Sequence, residues 1–432
     1  MHRKNRTSIV VSLLGLVMLA CSSGPKSVSN SGGSGGGGAQ AGSILGQAGS
    51  LGANAGAPGA SGVGGIGQGG MAGAGQSGAA GAPGGGAPGG GAGTGIRGIS
   101  PLDAVKEMKL GWNLGNTLDA TPGGETGWGN PPTTKAMIDA VKAAGFNTLR
   151  LPVTWKDHLG PAPDYVVDTA WLARVEEVAN YALSDGMYVI INTHHDEWVS
   201  LMPDANQTQI TDELSKLWTQ VATAFKSYDD HLVFETLNEP RTTDDTQWTG
   251  GTPAARAILN GYNAAALKAI RGTGGNNALR FVMLPTHGAN AATECINDLV
   301  VPNGDPNVII SLHTYYPWAF SGDAAGTASF GSAADLSAMN AELDRIANLT
   351  VKKGRAAIIG EWGSLDKANT PARVTHAKAY AAAVRAHGLL PVWWDNNVIG
   401  ADSGFGLLNR SALTWYYPEI KDALATGAAS VP

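Results

Sequence analysis

The chain has 432 residues, a net charge of −6 at neutral pH and a pI near 5.8. This acidic balance provides no basic surface, which argues against nucleic acid and anionic lipid headgroups as partners and favours neutral substrates. If Cys21 carries a lipid, Cys295 is the only remaining thiol, so no intradomain disulfide can form and stability must come from a large core.

The N-terminus has the charge-then-hydrophobe order of an export signal. Basic residues among the first six precede an apolar run, Ile9–Ala20, that is too short to span a bilayer. The run ends in Met-Leu-Ala-Cys at Cys21, which resembles the bacterial lipoprotein box. We therefore expect a lipoprotein signal peptide over residues 1–20 and lipidation of Cys21, which would place the exported protein at the outer membrane or cell surface. The alternative is an ordinary signal peptide cut nearby, which would release a secreted protein.

Residues 21–96 are expected to form a Gly/Ala-rich, disordered linker. Between residues 31 and 100 the sequence holds 31 of the chain's 61 glycines and no aromatic residue. Such a stretch cannot bury enough apolar surface to fold. Random-coil scaling of about 5–6 Å × √n gives about 70 residues a reach on the order of 45 Å, enough to hold a domain away from a membrane.

Residues 97–432 hold all 12 Trp and no second linker, which predicts one large domain. Amphipathic segments such as Thr133–Ala144 and Thr169–Leu183 alternate with short β-branched or apolar runs. Eight such alternations in about 330 residues favour an α/β fold of the TIM (β/α)8 barrel type over a doubly wound open sheet. The strand candidates are Leu110–Leu114, Thr148–Leu151, Tyr188–Asn192, Leu232–Thr236, Arg280–Leu284, Val308–Leu312, Ala356–Ile359 and Leu390–Trp394.

Nearly every strand candidate ends in residues that are able to do chemistry, and in a barrel these ends line one mouth. Only the end of the fifth, Pro285-Thr286-His287, is ambiguous. The sequence therefore predicts a functional site at this mouth. Its candidate residues, in chain order, are Asn116, Arg150, His194, His195, Asn238, Glu239, His313, Tyr315, Glu361 and Trp394.

Glu239 and Glu361 are suited to glycoside hydrolysis, which needs one carboxylic acid to protonate the leaving oxygen and a carboxylate on the other side of the sugar ring. They follow the fourth and seventh strands, which can face each other across a barrel mouth. A lone Glu at a strand end is usually a surface ion pair, but the Asn-Glu-Pro and Gly-Glu-Trp-Gly surroundings favour tight turns and sugar stacking. In a retaining enzyme the two carboxyl groups should lie about 5–5.5 Å apart.

Arg150 lies in an apolar strand, where its permanent charge needs a buried anion. Glu361 is the expected partner, and a purely structural ion pair is the alternative. An arginine beside Glu361 would keep that carboxylate ionised, whereas the more distant Glu239 would hold a raised pKa and stay protonated.

The sequence His194-His195-Asp196 contains residue types found in zinc or manganese sites. Adjacent strand residues point to opposite faces, so both histidines can bind one metal only if the strand has already ended. No His-x-His or His-Glu-x-x-His pattern supports a metal, and we predict neither a metal nor another cofactor. Hydrogen bonds from these histidines to sugar hydroxyls are the preferred interpretation.

The tryptophan content supports a carbohydrate ligand, because the apolar faces of pyranose rings stack on flat aromatic surfaces. Trp394 is the best candidate for such a platform. Four tryptophans on presumed βα loops either line further subsites or pack in the core, and these are Trp128, Trp155, Trp198 and Trp318.

Together these motifs resemble glycoside hydrolase family 5, the old cellulase family A, and most closely its subfamily 4 of bacterial endoglucanases. The resemblance covers residues 99–418, and seven motifs in the right order are specific although each alone is weak. The matching stretches are residues 111–120 (GWNLGNTLDA), 145–155 (GFNTLRLPVTW), 192–196 (NTHHD), 234–241 (FETLNEPR), 313–317 (HTYYP), 360–363 (GEWG) and 391–396 (PVWWDN).

The resemblance implies a retaining endo-β-1,4-glucanase in which Glu239 is the acid/base and Glu361 is the nucleophile. Arg150 and Tyr315 would hold the nucleophile, and Asn238 would bond the 2-hydroxyl of the sugar in the cleaved subsite. The rest of that subsite would be formed by Asn116, His194, His195 and His313, with Trp394 stacking beneath the sugar.

The expected substrates are soluble or amorphous β-1,4-linked glucans, such as carboxymethylcellulose, mixed-linkage β-glucan or xyloglucan, because a Gly/Ala tether stands in place of a cellulose-binding module. We expect a monomer whose only other partner is the membrane, through the N-terminal lipid. A β-1,4-mannanase on the same barrel is the alternative activity. A non-catalytic glycan-binding lipoprotein is the alternative from a different class.

Overall fold

The computed structural model describes residues 95–400 and 403–431, and their strands form a closed, eight-stranded parallel barrel. The predicted signal peptide, Cys21 and nearly all of the predicted linker lie outside these residues. Neighbouring strands pair in chain order, and the eighth closes the barrel against the first. The TIM barrel prediction is confirmed. The strands are β1 Gly111–Leu114, β2 Thr148–Leu151, β3 Tyr188–Asn192, β4 Leu232–Glu235, β5 Val282–Asn290, β6 Val308–His313, β7 Ala357–Trp362 and β8 Leu390–Asp395.

Helices connect successive strands, and a two-stranded antiparallel ribbon precedes the last of them. The predicted helix over 169–183 has the predicted bounds, because Asp168 caps its first turn by accepting from the N–H groups of Ala170 and Trp171. The helices are α1 Pro101–Glu107, α2 Lys135–Ala143, α3 Thr169–Leu183, α4 Gln207–Ala224, α5 Pro253–Gly272, α6 Thr293–Asp298, α7 Trp318–Ser321, α8 Ala333–Leu349, α9 Thr370–Ala386 and α10 Pro418–Ala429, and the ribbon consists of β9 Leu408–Asn409 and β10 Thr414–Trp415.

The inside of the barrel changes from apolar to polar along its axis. The bottom is filled by side chains such as Ile190, Val233 and Ile309, which pack against α1. Two residues further along the strands, the buried side chains are polar. We call this set the polar layer, and it consists of Asn113, Arg150, Asn192, Glu235 and Ser311. The polar layer forms the floor of the mouth at which the candidate site lies.

None of the helices among the described residues is both long enough and apolar enough to cross a bilayer.

Candidate active site

Glu239 and Glu361 lie opposite each other at the mouth of the barrel. Glu239 follows β4 and Glu361 lies within β7. A carboxylate oxygen of each lies within 4.8 Å of the other. Inverting glycosidases hold their carboxyl groups about 6.5–9.5 Å apart to admit a water, whereas retaining enzymes hold them about 5–5.5 Å apart. This closest approach is below the inverting range and agrees with a retaining pair.

Two donors fix the Glu361 carboxylate. Arg150 Nη1 donates to Oε1 at 2.8 Å, and the Tyr315 hydroxyl donates to Oε2 at 3.0 Å. Gly360 precedes the carboxylate, and a Cβ at that position would lie only 3.2 Å from His313 Nε2. Glycine therefore allows the imidazole to approach Glu361 closely.

Arg150 does not neutralise Glu361 alone. Its Nε donates to Glu235 Oε2 at 2.9 Å, and its Nη1 donates to Asn113 Oδ1 at 3.0 Å as well as to Glu361. Arg150 and both carboxylates are completely buried. One guanidinium charge is thus shared by two buried carboxylates. It therefore stabilises the negative charge of Glu361 less than it would in an ion pair with Glu361 alone.

Glu235 is the main residue that the sequence reasoning missed. It also accepts from Asn192 Nδ2 at 2.9 Å and from the Ser311 hydroxyl. The available signal was a carboxylate at the end of an otherwise apolar strand, β4, where burial demands a cationic partner.

His313 lies between the two catalytic candidates, with Nδ1 at 2.8 Å from Glu239 Oε1 and 3.7 Å from Glu361 Oε2. Burial raises the pKa of Glu239, but the hydrogen bond and charge of His313 outweigh it and hold that pKa below its ordinary value. Burial also raises the pKa of Glu361, and His313 and Arg150 offset only part of the rise. In the unliganded site the directions are therefore the reverse of those predicted, because Arg150 divides its charge and His313 is closer to Glu239.

Asn238 is oriented for a substrate by Arg150. Its Oδ1 accepts from Arg150 Nη2 at 2.7 Å, which fixes the amide orientation. Its Nδ2 has no acceptor among the described residues and remains available to donate to a sugar hydroxyl.

Comparisons with known proteins agree with this geometry. The Cellulase family model, glycosyl hydrolase family 5, matches residues 113–400. The chain belongs to glycosyl hydrolase family 5. Endoglucanase B of Clostridium cellulovorans is 52% identical over 343 residues, which are 78% of each chain. The predicted family is confirmed.

Solved structures of similar proteins share the barrel. A broad-specificity endoglucanase of subfamily 4 from Clostridium acetobutylicum is 48% identical, with a TM-score of 0.74 over 76% of this chain and 99% of that one. A xyloglucan-specific endo-β-1,4-glucanase from a metagenomic library, solved with cellotriose, is 42% identical, with a TM-score of 0.72 over 75% of this chain and 98% of that one.

In this family 5 hydrolase the tautomer of His194 follows from Asn192. The Oδ1 of Asn192 accepts from the Val153 N–H at 3.1 Å, so its Nδ2 is the donor that lies 3.1 Å from His194 Nδ1. Burial lowers the pKa of His194 well below its ordinary value, so the ring is neutral. Since Nδ1 accepts, the single ring proton is on Nε2.

The Nε2 atoms of His194 and His195 both face Asp119, another residue that the sequence reasoning missed. They lie 4.0 Å and 3.8 Å from Asp119 Oδ2, and neither has a hydrogen-bond partner among the described residues. The buried Oδ1 of Asn116 is likewise unpaired. The unpaired imidazole nitrogens and the Asp119 carboxylate suit a sugar hydroxyl, which can both donate and accept.

The same cluster is a poor metal site. Because β3 ends at Asn192, both histidines lie beyond the strand and face one carboxylate, so the geometric objection raised from the sequence does not apply. With Nδ1 accepting from Asn192, His194 nevertheless presents an N–H rather than a lone pair toward Asp119, so in this tautomer it is not a metal ligand. Asp196 is not part of this cluster, and its Oδ1 accepts from the backbone N–H groups of Trp155 and Lys156.

Trp394 is completely buried and packs with Leu365, Phe405 and Tyr315. Gly115 makes room for it, since a Cβ there would lie 2.7 Å from the indole. A sugar can stack on this ring only if a neighbouring side chain moves aside, so its role as a platform stays a prediction.

The four tryptophans on the presumed βα loops divide into two groups. Trp128 lies beside His195 with ring centroids 5.5 Å apart, and Trp318 lies beside Tyr315 at 6.5 Å, so both are close to predicted sugar-binding residues. Trp155 is completely buried, and Trp198 packs against the hydrophobic core. Trp155 therefore belongs to the core rather than to a subsite.

The shared charge of Arg150 leads to a test with Glu235→Gln. Glutamine keeps an acceptor for Arg150 but removes one anion, so the pKa of Glu361 should fall. On the acid side of the pH profile, kcat/KM rises with pH as Glu361 loses its proton. This acid limb should therefore shift to lower pH by roughly one unit in the variant. Glu107→Gln, at the bottom of the barrel, should leave the limb in place. An acid limb that stays in place or shifts to higher pH in Glu235→Gln would contradict the sharing of the Arg150 charge.

Proposed function

We propose that this hydrolase is a retaining endo-β-1,4-glucanase that cuts internal bonds of soluble or amorphous β-glucans. The carrying observation is the approach of Glu239 and Glu361 oxygens to within 4.8 Å. The names of the similar proteins, which include broad-specificity and xyloglucan-specific endoglucanases, support a β-1,4-glucan substrate.

In the first step the Glu361 carboxylate attacks the anomeric carbon, the bond from that carbon to the leaving oxygen breaks, and a proton passes from Glu239 to that oxygen. His313 Nδ1 lies 2.8 Å from Glu239 Oε1, and we infer that the two groups share one titratable proton. When His313 is neutral and keeps its Nδ1–H, that proton is on Glu239 Oε2. The pair can supply this proton although the pKa of Glu239 is low in the unliganded site.

In the second step a water attacks the anomeric carbon and displaces Glu361, while Glu239 accepts the proton of the water. Bonding to the sugar has by then removed the negative charge of Glu361. This loss lowers the pKa of Glu239 further and suits it to act as a base.

Proton NMR of the first product tests the mechanism, and a glycan panel tests the substrate. We expect the β-anomer to form first, and shorter chains from carboxymethylcellulose, mixed-linkage β-glucan and xyloglucan. An initial α-anomer would overturn the retaining mechanism. Faster cleavage of mannan would favour a mannanase, and binding without release of reducing sugar would favour a non-catalytic protein.

We also propose, from the N-terminal sequence alone, that the enzyme is exported and anchored at the outer membrane or cell surface through a lipid on Cys21. In cell fractionation, Cys21→Ser is expected to move glucanase activity from the membrane fraction to the soluble fraction. Cys295→Ser is the matched control, since this buried thiol lies in α6 of the folded domain, and it should leave activity with the membrane. Soluble wild-type activity would contradict the anchor.

A further inference from the structure

The two carboxylate oxygens of Glu239 have different surroundings. Oε1 lies 2.8 Å from His313 Nδ1. Oε2 forms no hydrogen bond with a described residue, and Arg241 Nη1 lies 3.7 Å from it. If Glu239 is the acid, Oε2 is the oxygen free to meet the leaving oxygen, so the departing sugar must lie next to Arg241.

Arg241 is held in place although its side chain is 38% exposed. Its Nη1 donates to the backbone carbonyl of Glu239 at 3.1 Å, and its guanidinium lies 4.1 Å above the Trp248 ring. A cation over an indole is attracted by the ring's electron density. Asn290 Nδ2 donates to the Trp248 carbonyl at 2.9 Å, which anchors that part of the loop to the end of β5.

There is room for a sugar beside this pair. A cavity of about 290 Å³ is lined on one side by Glu239, Arg241 and Gln247 and on the other by residues 193–197. Ligand pockets run from about 300 to 1,000 Å³, so this one is sized for a small part of a glycan rather than for a long chain.

We propose that Arg241 is a positioning residue for the leaving group, which directs Glu239 Oε2 toward the glycosidic oxygen and donates a hydrogen bond to the departing sugar. The inference rests on the proposed role of Glu239 as the acid. As the proton passes from Oε2 to the glycosidic oxygen, the electron pair of the broken bond stays on that oxygen and the sugar leaves as an alcohol. The carboxylate left on Glu239 then faces the Arg241 charge, which stabilises it.

Arg241 is the cation near Glu239 that can be removed without touching Glu361. Arg150 and His313 both contact the nucleophile, and burial lowers the pKa of His195 to about 4, which leaves that ring neutral. The charged and titratable groups that face Glu239 are Arg150 from β2, His195 from the loop after β3, Arg241 from the loop after β4, His313 from β6 and Glu361 from β7.

The test compares Arg241→Met with wild type on cellotetraose, whose leaving sugar needs a proton, and on 2,4-dinitrophenyl β-cellobioside, whose leaving group does not. We expect kcat/KM to fall about 10–100-fold on cellotetraose but less than about threefold on the aryl glycoside. Loss of the cation raises the pKa of Glu239, so the alkaline limb on cellotetraose should move to higher pH. Arg241→Lys keeps the charge and should restore the limb and most of the rate.

Lys352→Met removes an exposed cation just before β7, outside the cavity, and should change neither measurement. Retained aryl-glycoside activity in Arg241→Met shows that the site is folded. Equal losses on both substrates with an unmoved alkaline limb would mean that Arg241 only supports the loop, and would overturn the inference. Wild-type enzyme inactive on both substrates would instead contradict the proposed function.

Discussion

The Glu361→Gly variant is expected to lose about 10⁴–10⁶-fold in kcat, because no other described carboxylate is placed to attack the anomeric carbon. Glycine leaves a space above Arg150 and Tyr315 that a small anion can enter. With 2,4-dinitrophenyl β-cellobioside, added azide should attack from the side of the missing carboxylate and give the α-glycosyl azide. The azide product is identified by NMR.

The control for this experiment is Glu235→Gln, which alters the same buried charge network but keeps the nucleophile. It should form no glycosyl azide. Residual activity above about a tenth of wild type in Glu361→Gly, or an azide product of β configuration, would show that Glu361 is not the nucleophile.

The Glu239→Ala variant is expected to separate two kinds of substrate. On cello-oligosaccharides kcat/KM should fall about 10²–10⁴-fold, because the leaving alcohol needs a proton. On 2,4-dinitrophenyl β-cellobioside the first step should survive and the second should slow, so that a burst of dinitrophenol precedes a slow steady state. Azide should then attack the glycosyl-enzyme intermediate from the side of Glu239 and give the β-glycosyl azide.

Glu419→Ala, an exposed carboxylate in the first turn of α10, is the control for general effects of losing a charge. It should match wild type on both substrates. Equal losses on the two substrates in Glu239→Ala, without a burst, would contradict its role as the acid/base.

The barrel could be predicted because each strand has a local signature, but the extent of β5 could not. The sequence predicted Arg280–Leu284, and the strand is Val282–Asn290, with an irregular register against β6 between Pro285 and Asn290. This extension depends on pairing with a neighbouring strand, and the pattern within one segment carries no information about its partner's register.

The candidate site could be predicted where a residue's chemistry stands out at a strand end, as it does for Glu239 and Glu361. The roles of Glu235 and Asp119 depend instead on contacts that form only in the folded barrel. Glu235 meets Arg150 from 85 positions away along the chain. The predicted order of the pKa values of Glu239 and Glu361 was wrong for the same reason. That order depends on how the Arg150 charge is shared and on where His313 lies in the folded site.

The side-chain amide of Asn192 contacts both a predicted sugar-binding histidine and the carboxylate that shares the Arg150 charge. Its Nδ2 lies between His194 Nδ1 and Glu235 Oε2, while its Oδ1 is tied to the backbone of the loop after β2. Aspartate at this position would lack the Nδ2 donor, and an aliphatic residue would lack both the donor and the Oδ1 acceptor. A substitution at position 192 therefore changes the orientation of His194 and the hydrogen bonding of Glu235 together, so sugar recognition and the charge around Arg150 cannot be altered separately there.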